Sequence, residues 1–578
     1  MTYILGVNAF HADSSACIIR NGEILFAIEE ERINRIKHWS GFPTKSIEAC
    51  LNFADISMDE IEFITFNTDP KFNLKKKIFY VLKNFLVTEI FKYLKKKNKN
   101  NLFVNLKKNF DLEKVEKKII FVEHHISHIS SAYFPSNYDK SDIVSIDGFG
   151  DFTSCALGSA EGNDLNISTR VNFPHSLGLF YQAMTQHLGF RNYGDEYKVM
   201  GLSAYGKPKY FEKLKNIINI KKNTFELNLN YFSHHYNFSN YVSTDGNIMF
   251  PKIFNQKINE IIGSERLKDQ KLNEHHTDLA ASVQKIYEYI LFNTLNTWQK
   301  ISKKENLCFA GGCAMNSKAN GSILENTNYK NIYIPPSPGD AGGSVGSALY
   351  QFSRINKLYE NKNYYSVYLG PQYKKEHTKK LIDENLLNYD CKVLELNENE
   401  IVELCSKKIS EGNVVGWFQA RMEWGPRALG NRSILADPRQ KNMKDILNLK
   451  TKKRESFRPF APSILEEEVE GWFEQHHQSY FMQNVYKFKE EKIKYVPAVV
   501  HLDFTGRLQT VSKKLNPLYY DLIKNFQKIT QVPIILNTSF NENEPIVCNP
   551  LEAIECFKRT KIDILVIDNF YIQRTEKK

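Results

Sequence analysis

The hydrophobic positions of this chain fall into short runs separated by polar turns rich in glycine, aspartate and asparagine. Residues 3–7 (YILGV) read as a buried strand opening into the polar turn Asn8-Ala9-Phe10-His11-Ala12-Asp13-Ser14-Ser15. Residues 16–19 and 23–28 flank Asn21-Gly22, a dipeptide suited to the left-handed positions of a two-residue hairpin. Residues 143–146 form another apolar run, which delivers Asp147 into the turn Asp147-Gly148-Phe149-Gly150-Asp151. Backbone can approach a phosphate at such glycines, and the carboxylate can bind a hard cation. Just upstream, His124 and His128 stand four apart, so in a helix both imidazoles reach one ion while His125 points elsewhere.

The period lengthens further on. Apolar residues at 279, 283, 286 and 290 mark one helix face, with Thr277 or Asp278 expected as its cap. Residues 308–321 (CFAGGCAMNSKANG) read as a strand, the Gly311-Gly312 turn and a helix N-terminus, a place for a nucleoside or phosphate. Residues 332–334 then run into PPSPGDAGG, a second strand ending in an aspartate, Asp340. Asp147 and Asp340 would face one cleft in a two-lobed α/β fold. Residues 173–206 hold five glycines with Asp195, Glu196 and Lys198 in an apolar setting, which predicts a binding loop. Late runs at 533–536, leading into Asn537-Thr538-Ser539-Phe540-Asn541, and at 564–567 close the chain as buried strands. No internal repeat is detectable.

Length divides this pattern, because 578 residues exceed one core. The stretch 354–390 is polar and glycine-poor, so the junction is placed near 360, giving domains 1–360 and 361–578. There is no 18-residue apolar run, and the N-terminus lacks a basic start and a small-residue cleavage site, so no membrane span and a cytoplasmic location are expected. Nine cysteines without a CxxC predict reduced thiols rather than disulfides or a zinc ribbon.

Charge is informative only once located. The net charge is +11, and residues 71–118, with 15 Lys against 4 acidic side chains, carry a balance of +11 by themselves. Within them Phe79, Leu82, Phe85 and Leu86 step by three and four, as on one face of an amphipathic helix. A solvated face in a Lys- and Asn-rich composition is the simpler reading; an acidic ligand, a membrane surface or a partner are the alternatives. Arginine use changes after residue 420. Arg421, Arg427, Arg432, Arg439, Arg454 and Arg458 fall within 38 residues, while the first 420 residues contain seven arginines. A lysine-biased chain that uses arginine here needs its planar fork, which grips phosphate or carboxylate through two parallel hydrogen bonds. Glycine and proline in WGPRALGNRS rule out a simple helical face.

These segments together carry a resemblance. The HxxxH, SIDGFGD, DEYKVMGLSAYG, AGGCAMN, PPSPGDAGG, WGPRALGNRSILADPR, RESFRPFAPS, TGRLQTV and NTSFN segments are similar, in order and over nearly the whole chain, to those of NodU/CmcH-type O-carbamoyltransferases. The resemblance implies an N-terminal two-lobed ASKHA (actin-like ATPase) domain, whose usual opening is the strand, polar turn and hairpin seen here. It implies a C-terminal YrdC-like α/β domain. That domain would form carbamoyl adenylate from carbamoyl phosphate and ATP with magnesium, and the first would pass the carbamoyl group to a hydroxyl of a sugar, natural product or other glycan acceptor. Metal ligands would be His124, His128, Asp147 and Asp340, a set suited to iron(II), favoured by the resemblance, or to manganese or zinc. Nucleotide contacts would fall on Gly148, Gly150, Lys198, Gly311, Gly312 and Asn316, and His11 would be the general base. In the second domain Arg427, Arg432, Lys452, Arg458, Arg507, Ser539 and Asn541 would hold carbamoyl phosphate and ATP, with Lys453 able to replace Lys452. The family's usual MGLAPYG reads Met200-Gly201-Leu202-Ser203-Ala204-Tyr205-Gly206 here, a departure that bears on acceptor contacts.

Three other readings compete. A hydrogenase-maturation-type carbamoyltransferase acts on a thiol, but carries CxxC motifs and the opposite domain order. An ATP-dependent small-molecule kinase would release ADP. A nucleic-acid binder working through the lysine segment would lose affinity steeply with salt; no nucleic-acid partner is expected. The acceptor is not selected by any residue pattern, an anionic or nucleotide-linked glycan being the candidate, and a homodimer stays open.

Overall fold

The structure, a computed structural model, describes residues 1–97, 105, 115–221, 223–241, 246, 248, 250–355, 366–452, 457–458 and 460–575. The chain is α/β and divides into two compact units, Met1–Tyr364 and Tyr365–Lys578.

In the first unit Tyr3–Asn8 is the central strand of a five-stranded sheet. Ser15–Arg20 and Glu23–Glu29 extend it on one side as an antiparallel meander, and Phe63–Phe66 and Ile119–Phe121 extend it in parallel on the other. Lys140–Gly150 occupies the same place in a second five-stranded sheet. Thr153–Glu161 and Asp164–Asn172 form its meander, and Asn306–Ala310 and Asn331–Tyr333 its parallel side. The two sheets therefore share one topology. The duplication that the sequence hides survives in strand order, and it is the two-lobed arrangement of the actin-like ATPase fold.

Local sequence explains these elements. Asn21 and Gly22 both take positive φ, 49° and 82°, as a two-residue hairpin requires. Central strands read as nearly continuous apolar runs because both faces are covered: Ile4, Leu5 and Val7, and Ile143, Val144 and Ile146, are fully buried. Helices His124–Tyr133 and Gly342–Ile355 pack against each other and against the sheets. Their approach depends on Gly346, where a Cβ would lie 1.7 Å from the Ser127 carbonyl oxygen.

Four expectations change. The run at 143–146 is part of an eleven-residue strand, whose pairing shifts register between Ile146 and Gly150; this irregularity holds Asp147. The long helix Glu274–Ser302 begins one turn before the expected cap: Asn273 accepts the His276 N–H, while Asp278 lies inside the helix and takes the Lys207 N–H and the Lys209 ammonium, each at 2.7 Å. Residues 173–206 are mostly helical rather than a loop, forming Leu177–His187, Glu196–Leu202 and a short turn of helix at Ser203–Tyr205. The lysine-rich segment makes two helices, Leu74–Lys83 and Val87–Lys97, and Phe79, Leu82 and Phe85 face outward. Residues 98–104 and 106–114 of that segment lie outside the described residues.

The second unit is built on a nine-stranded mixed sheet, in the order Cys391–Glu395, Phe570–Arg574, Ile564–Ile567, Val415–Phe418, Arg432–Ala436, Ile534–Ser539, Ala461–Leu465, Thr505–Val511 and Asn484–Lys487. Helices Glu398–Ser410 and Pro517–Thr530 pack together on it around Ile409, Leu522 and Phe526. All nine cysteines are unpaired thiols.

Candidate functional site

In the first unit two helix N-termini, a strand irregularity and a turn converge. Helix His124–Tyr133 starts where the Glu123 carboxylate accepts the N–H groups of His125 and Ile126, at 3.1 and 3.0 Å. Arg170 braces Glu123 at 3.1 Å, and Asp151 accepts the His124 N–H at 3.0 Å. This start places His124 and His128 inward, both fully buried. The distances are 3.0 Å between their Nε2 atoms, 3.1 Å from His124 to Asp147, 3.5 Å from His128 to Asp147, and 3.5 and 3.4 Å from His124 and His128 to Asp340. Such separations are the edges of a coordination polyhedron with metal–ligand bonds of about 2.1 Å. Asp340 Oδ1 is buried outside any hydrogen bond while facing both imidazoles, the environment of a cation ligand. The four residues therefore fit a divalent metal.

Electrostatics agree. Burial alone would raise the Asp147 carboxyl, but hydrogen bonds from His124 and His128 hold it well below the usual carboxylate range. Burial would lower His128, yet Asp147 and Asp340 push it up to about 10; His124 is raised against burial and its neighbour's charge by the same two aspartates. His125 belongs elsewhere, as expected: burial drives it well below its ordinary value, and Nδ1 pairs with the Ser145 hydroxyl at 2.8 Å.

The first polar turn reaches the same place. Phe10 and Asp13 take positive φ, 62° and 53°, and the Asn8 side-chain amide ties the turn by donating to the carbonyls of Ala12 and Asp13 at 2.9 and 3.0 Å. The His11 ring thereby lies 5.0 Å from the His124 ring. On the other flank of the turn Asp13 pairs with His38 Nδ1 at 2.7 Å, which outweighs burial and raises His38 to about 9. Tyr193 packs edge-on to His38 at 5.2 Å. Its phenol is pushed up by burial and by the charges of Asp13, Asp340 and Asp147, so these groups share one surrounding.

The expected nucleotide residues separate. Gly148 faces open space, whereas a Cβ at Gly150 would lie 2.0 Å from the His124 ring. Gly311 lies against the Ile146 backbone, and Gly312 gives its N–H to Asp147 at 2.8 Å. Asn316 caps the short helix Ser317–Gly321 and bonds to Gln284, and Lys198 pairs with Asp195 at 3.0 Å.

In the second unit Lys452 is buried and its ammonium donates to the Ser539 and Asn541 carbonyls, at 2.6 and 2.8 Å, and to Asn541 Oδ1 at 2.7 Å. The three residues expected to act together do lie together; Lys453 is outside the described residues. Arg507 is pushed well below the ordinary arginine value by burial and by the like charge of Arg427. Two neighbouring guanidiniums with that repulsion favour an anion. Arg432 differs from expectation. It is fully buried, stacks 3.6 Å over Phe418, and gives its donors to the carbonyls of Gln419, Asn431, Ala420 and Pro371. Those hydrogen bonds occupy both terminal nitrogens and tie the residue to the backbone, while its buried Nε has no partner. Arg458 is partly exposed.

Residues 3–349 match the family model described as "Carbamoyltransferase N-terminus", and residues 406–574 match "Carbamoyltransferase C-terminus". The chain belongs to the carbamoyltransferase family. Its relatives include an uncharacterised protein of Synechocystis sp., 37% identical over 100% of this chain and 97% of that protein. Nodulation protein NolNO of Sinorhizobium fredii is 34% identical over 98% of this chain and 80% of that protein. Nodulation protein NolO of Bradyrhizobium diazoefficiens is 38% identical over 78% of this chain and 79% of that protein.

In this carbamoyltransferase several supporting residues escaped sequence reasoning. Glu123 and Arg170 are 47 residues apart, and the Asp13–His38 pair joins residues 25 apart. Glu423 is the least visible. Buried under the WGPRALGNR turn, its Oε1 accepts the N–H groups of Leu429, Asn431 and Arg432 at 2.7, 2.7 and 3.1 Å. Only the acidic residue preceding an arginine- and glycine-rich turn could have hinted at it. No helix among the described residues is long and apolar enough to cross a membrane.

Proposed function

We propose that this carbamoyltransferase works in two steps, forming carbamoyl adenylate in the second unit and transferring the carbamoyl group to an acceptor hydroxyl in the first. The observation that supports the reading best is the convergence of His124, His128, Asp147 and Asp340 within 4.8 Å of one another, with the His11 ring 5.0 Å from that of His124. In the first step Arg427, Arg458 and Arg507 neutralise the phosphates of carbamoyl phosphate and ATP, while Lys452 holds Ser539 and Asn541 in place. Water first cleaves carbamoyl phosphate to carbamate and inorganic phosphate; a carbamate oxygen then adds to the α-phosphorus of ATP and pyrophosphate leaves. In the second step His11 takes the proton of the acceptor hydroxyl, whose oxygen attacks the carbamoyl carbon as AMP departs. A divalent ion held by the four ligands, iron(II) by family likeness, would supply Lewis-acid charge for the anhydride's phosphate. Gly148, next to Asp147 and with nothing within 4 Å of where a Cβ would stand, leaves room for that phosphate. The acceptor class is a sugar or natural-product hydroxyl.

Isotope-labelled carbamoyl phosphate with ATP tests both steps. Arg458→Ala should abolish pyrophosphate release yet still consume purified carbamoyl adenylate. His128→Ala should lose bound metal and transfer but keep pyrophosphate release. Loss of both steps in either variant would overturn the two-station reading, and ADP as the nucleotide product would replace it with a kinase.

A further inference from the structure

An amphipathic helix ordinarily turns its apolar face to the core. Helices Leu74–Lys83 and Val87–Lys97 do the reverse. Their inward contacts are polar or aromatic: the Tyr80 hydroxyl donates to the His235 carbonyl at 3.2 Å, Glu89 accepts the Ser239 N–H at 2.8 Å, the Lys96 ammonium reaches the Ser239 carbonyl at 2.9 Å, and Tyr93 packs on Phe238. Leu74, Ile78 and Leu82 project from the opposite side of the first helix, and Val87, Phe91 and Leu94 from that of the second. Phe79 is 66% exposed, and Phe85, in the turn joining the helices, is 91% exposed. This exposed apolar face is ringed by cations. Residues 71–97 contain nine lysines and one acidic residue, Glu89, which faces inward.

We infer that this helical pair is a docking surface for an anionic phospholipid bilayer. The apolar groups stand on a turn and two adjoining helix faces, each between 46% and 91% exposed, so they enter an interface instead of receiving a ligand. Exposed Lys75, Lys76, Lys83, Lys92 and Lys95 flank the apolar stripes, where their stems reach past the stripe and their ammonium groups meet lipid phosphates. Leucine, isoleucine and valine give nothing to a nucleic-acid backbone, and the outward positions contain no acidic residue to repel an anionic surface. Helices of ten and eleven residues are about 15 Å long, half a bilayer core, so they lie on the membrane and do not cross it.

The test is co-sedimentation of the full chain with vesicles of phosphatidylcholine mixed with phosphatidylglycerol, against vesicles of phosphatidylcholine alone. The chain should bind the anionic vesicles, and added salt should weaken binding. Phe85→Ser with Phe91→Ser should reduce the bound fraction about tenfold, and Lys75→Glu with Lys76→Glu should remove the preference for anionic lipid. Both variants keep carbamoyl transfer, which shows that they fold. Equal binding to the two vesicle types, or none, overturns the inference. So does unaltered binding by the phenylalanine variant, retention of single-stranded RNA in place of lipid, or a dimer in light scattering that the phenylalanine variant makes monomeric.

Discussion

A methyl group at Gly150 would lie 2.0 Å from Cγ and Cδ2 of His124, far inside van der Waals contact, so either the ring or the strand must move. Gly150→Ala should therefore lower metal affinity by at least about tenfold, whereas Gly148→Ala, with nothing within 4 Å of its new methyl, should retain the metal; metal analysis after dialysis separates the two. The Asp13–His38 pair sets a second residue-scale expectation. His38 is raised to about 9, so its proton is bound more tightly in the folded state. Its stabilisation is fully present below the unfolded value near 6.5 and is lost as pH rises through about 9. Asp13→Asn should return the His38 titration, followed by NMR, toward its ordinary value, and should remove that alkaline loss of stability. The convergence of these four residues was legible because His124 and His128 repeat at a helical spacing and Asp147 and Asp340 each end an apolar run beside glycines. The Asp13–His38 pair was not, since a 25-residue separation carries no periodicity.

Elements position what residues supply. The start of helix His124–Tyr133 is fixed by one carboxylate, Glu123, shared between two backbone N–H groups and Arg170. Glu123→Ala should destabilise by roughly 1–3 kcal/mol, a lost cap plus an unpaired arginine, and should weaken metal binding because both histidines hang from that helix. Glu123→Gln, which keeps an acceptor oxygen, should retain most of the metal; equal loss in both variants would show that charge rather than capping matters. Element types were largely readable here. The hairpin at Asn21-Gly22, the strand-to-glycine turns and the helix bearing His124 follow from short-range pattern. Longer-range pairing was not readable: the strand through Asp147 runs past its apolar run because Thr153–Glu161 pairs along it. The surroundings of Arg432 were hidden for a related reason, since its residue type announces a fork but not the backbone carbonyls that engage both terminal nitrogens.

The whole molecule places the four candidate metal ligands in one compact unit and the arginine-rich turn in the other, and each unit buries its own core. Stabilisation by a bound ligand acts on the unit that carries its site, by RT ln(1 + [L]/Kd), about 2.7 kcal/mol at a hundredfold excess over Kd. Calorimetry of the full chain should therefore resolve two transitions. Chelator should lower the one belonging to Met1–Tyr364 and leave the other in place, while ATP with carbamoyl phosphate should raise the transition of Tyr365–Lys578. His128→Ala supplies the control, because chelator should then shift neither transition. The positions of the two should also differ in their response to pH. Glu29 is buried and raised to about 7, chiefly by desolvation. A carboxyl whose folded value exceeds its unfolded value stabilises only below the unfolded value and loses that contribution as pH rises through the folded one. Between about pH 4.5 and 7 this group lowers the first transition as pH rises, and Glu29→Gln should remove that share of the pH dependence, while Glu196, which burial also raises to about 7, keeps its own. A single transition moving as one body under chelator, nucleotide and pH would show that the chain unfolds as one cooperative unit, with both sites drawing on a common stability.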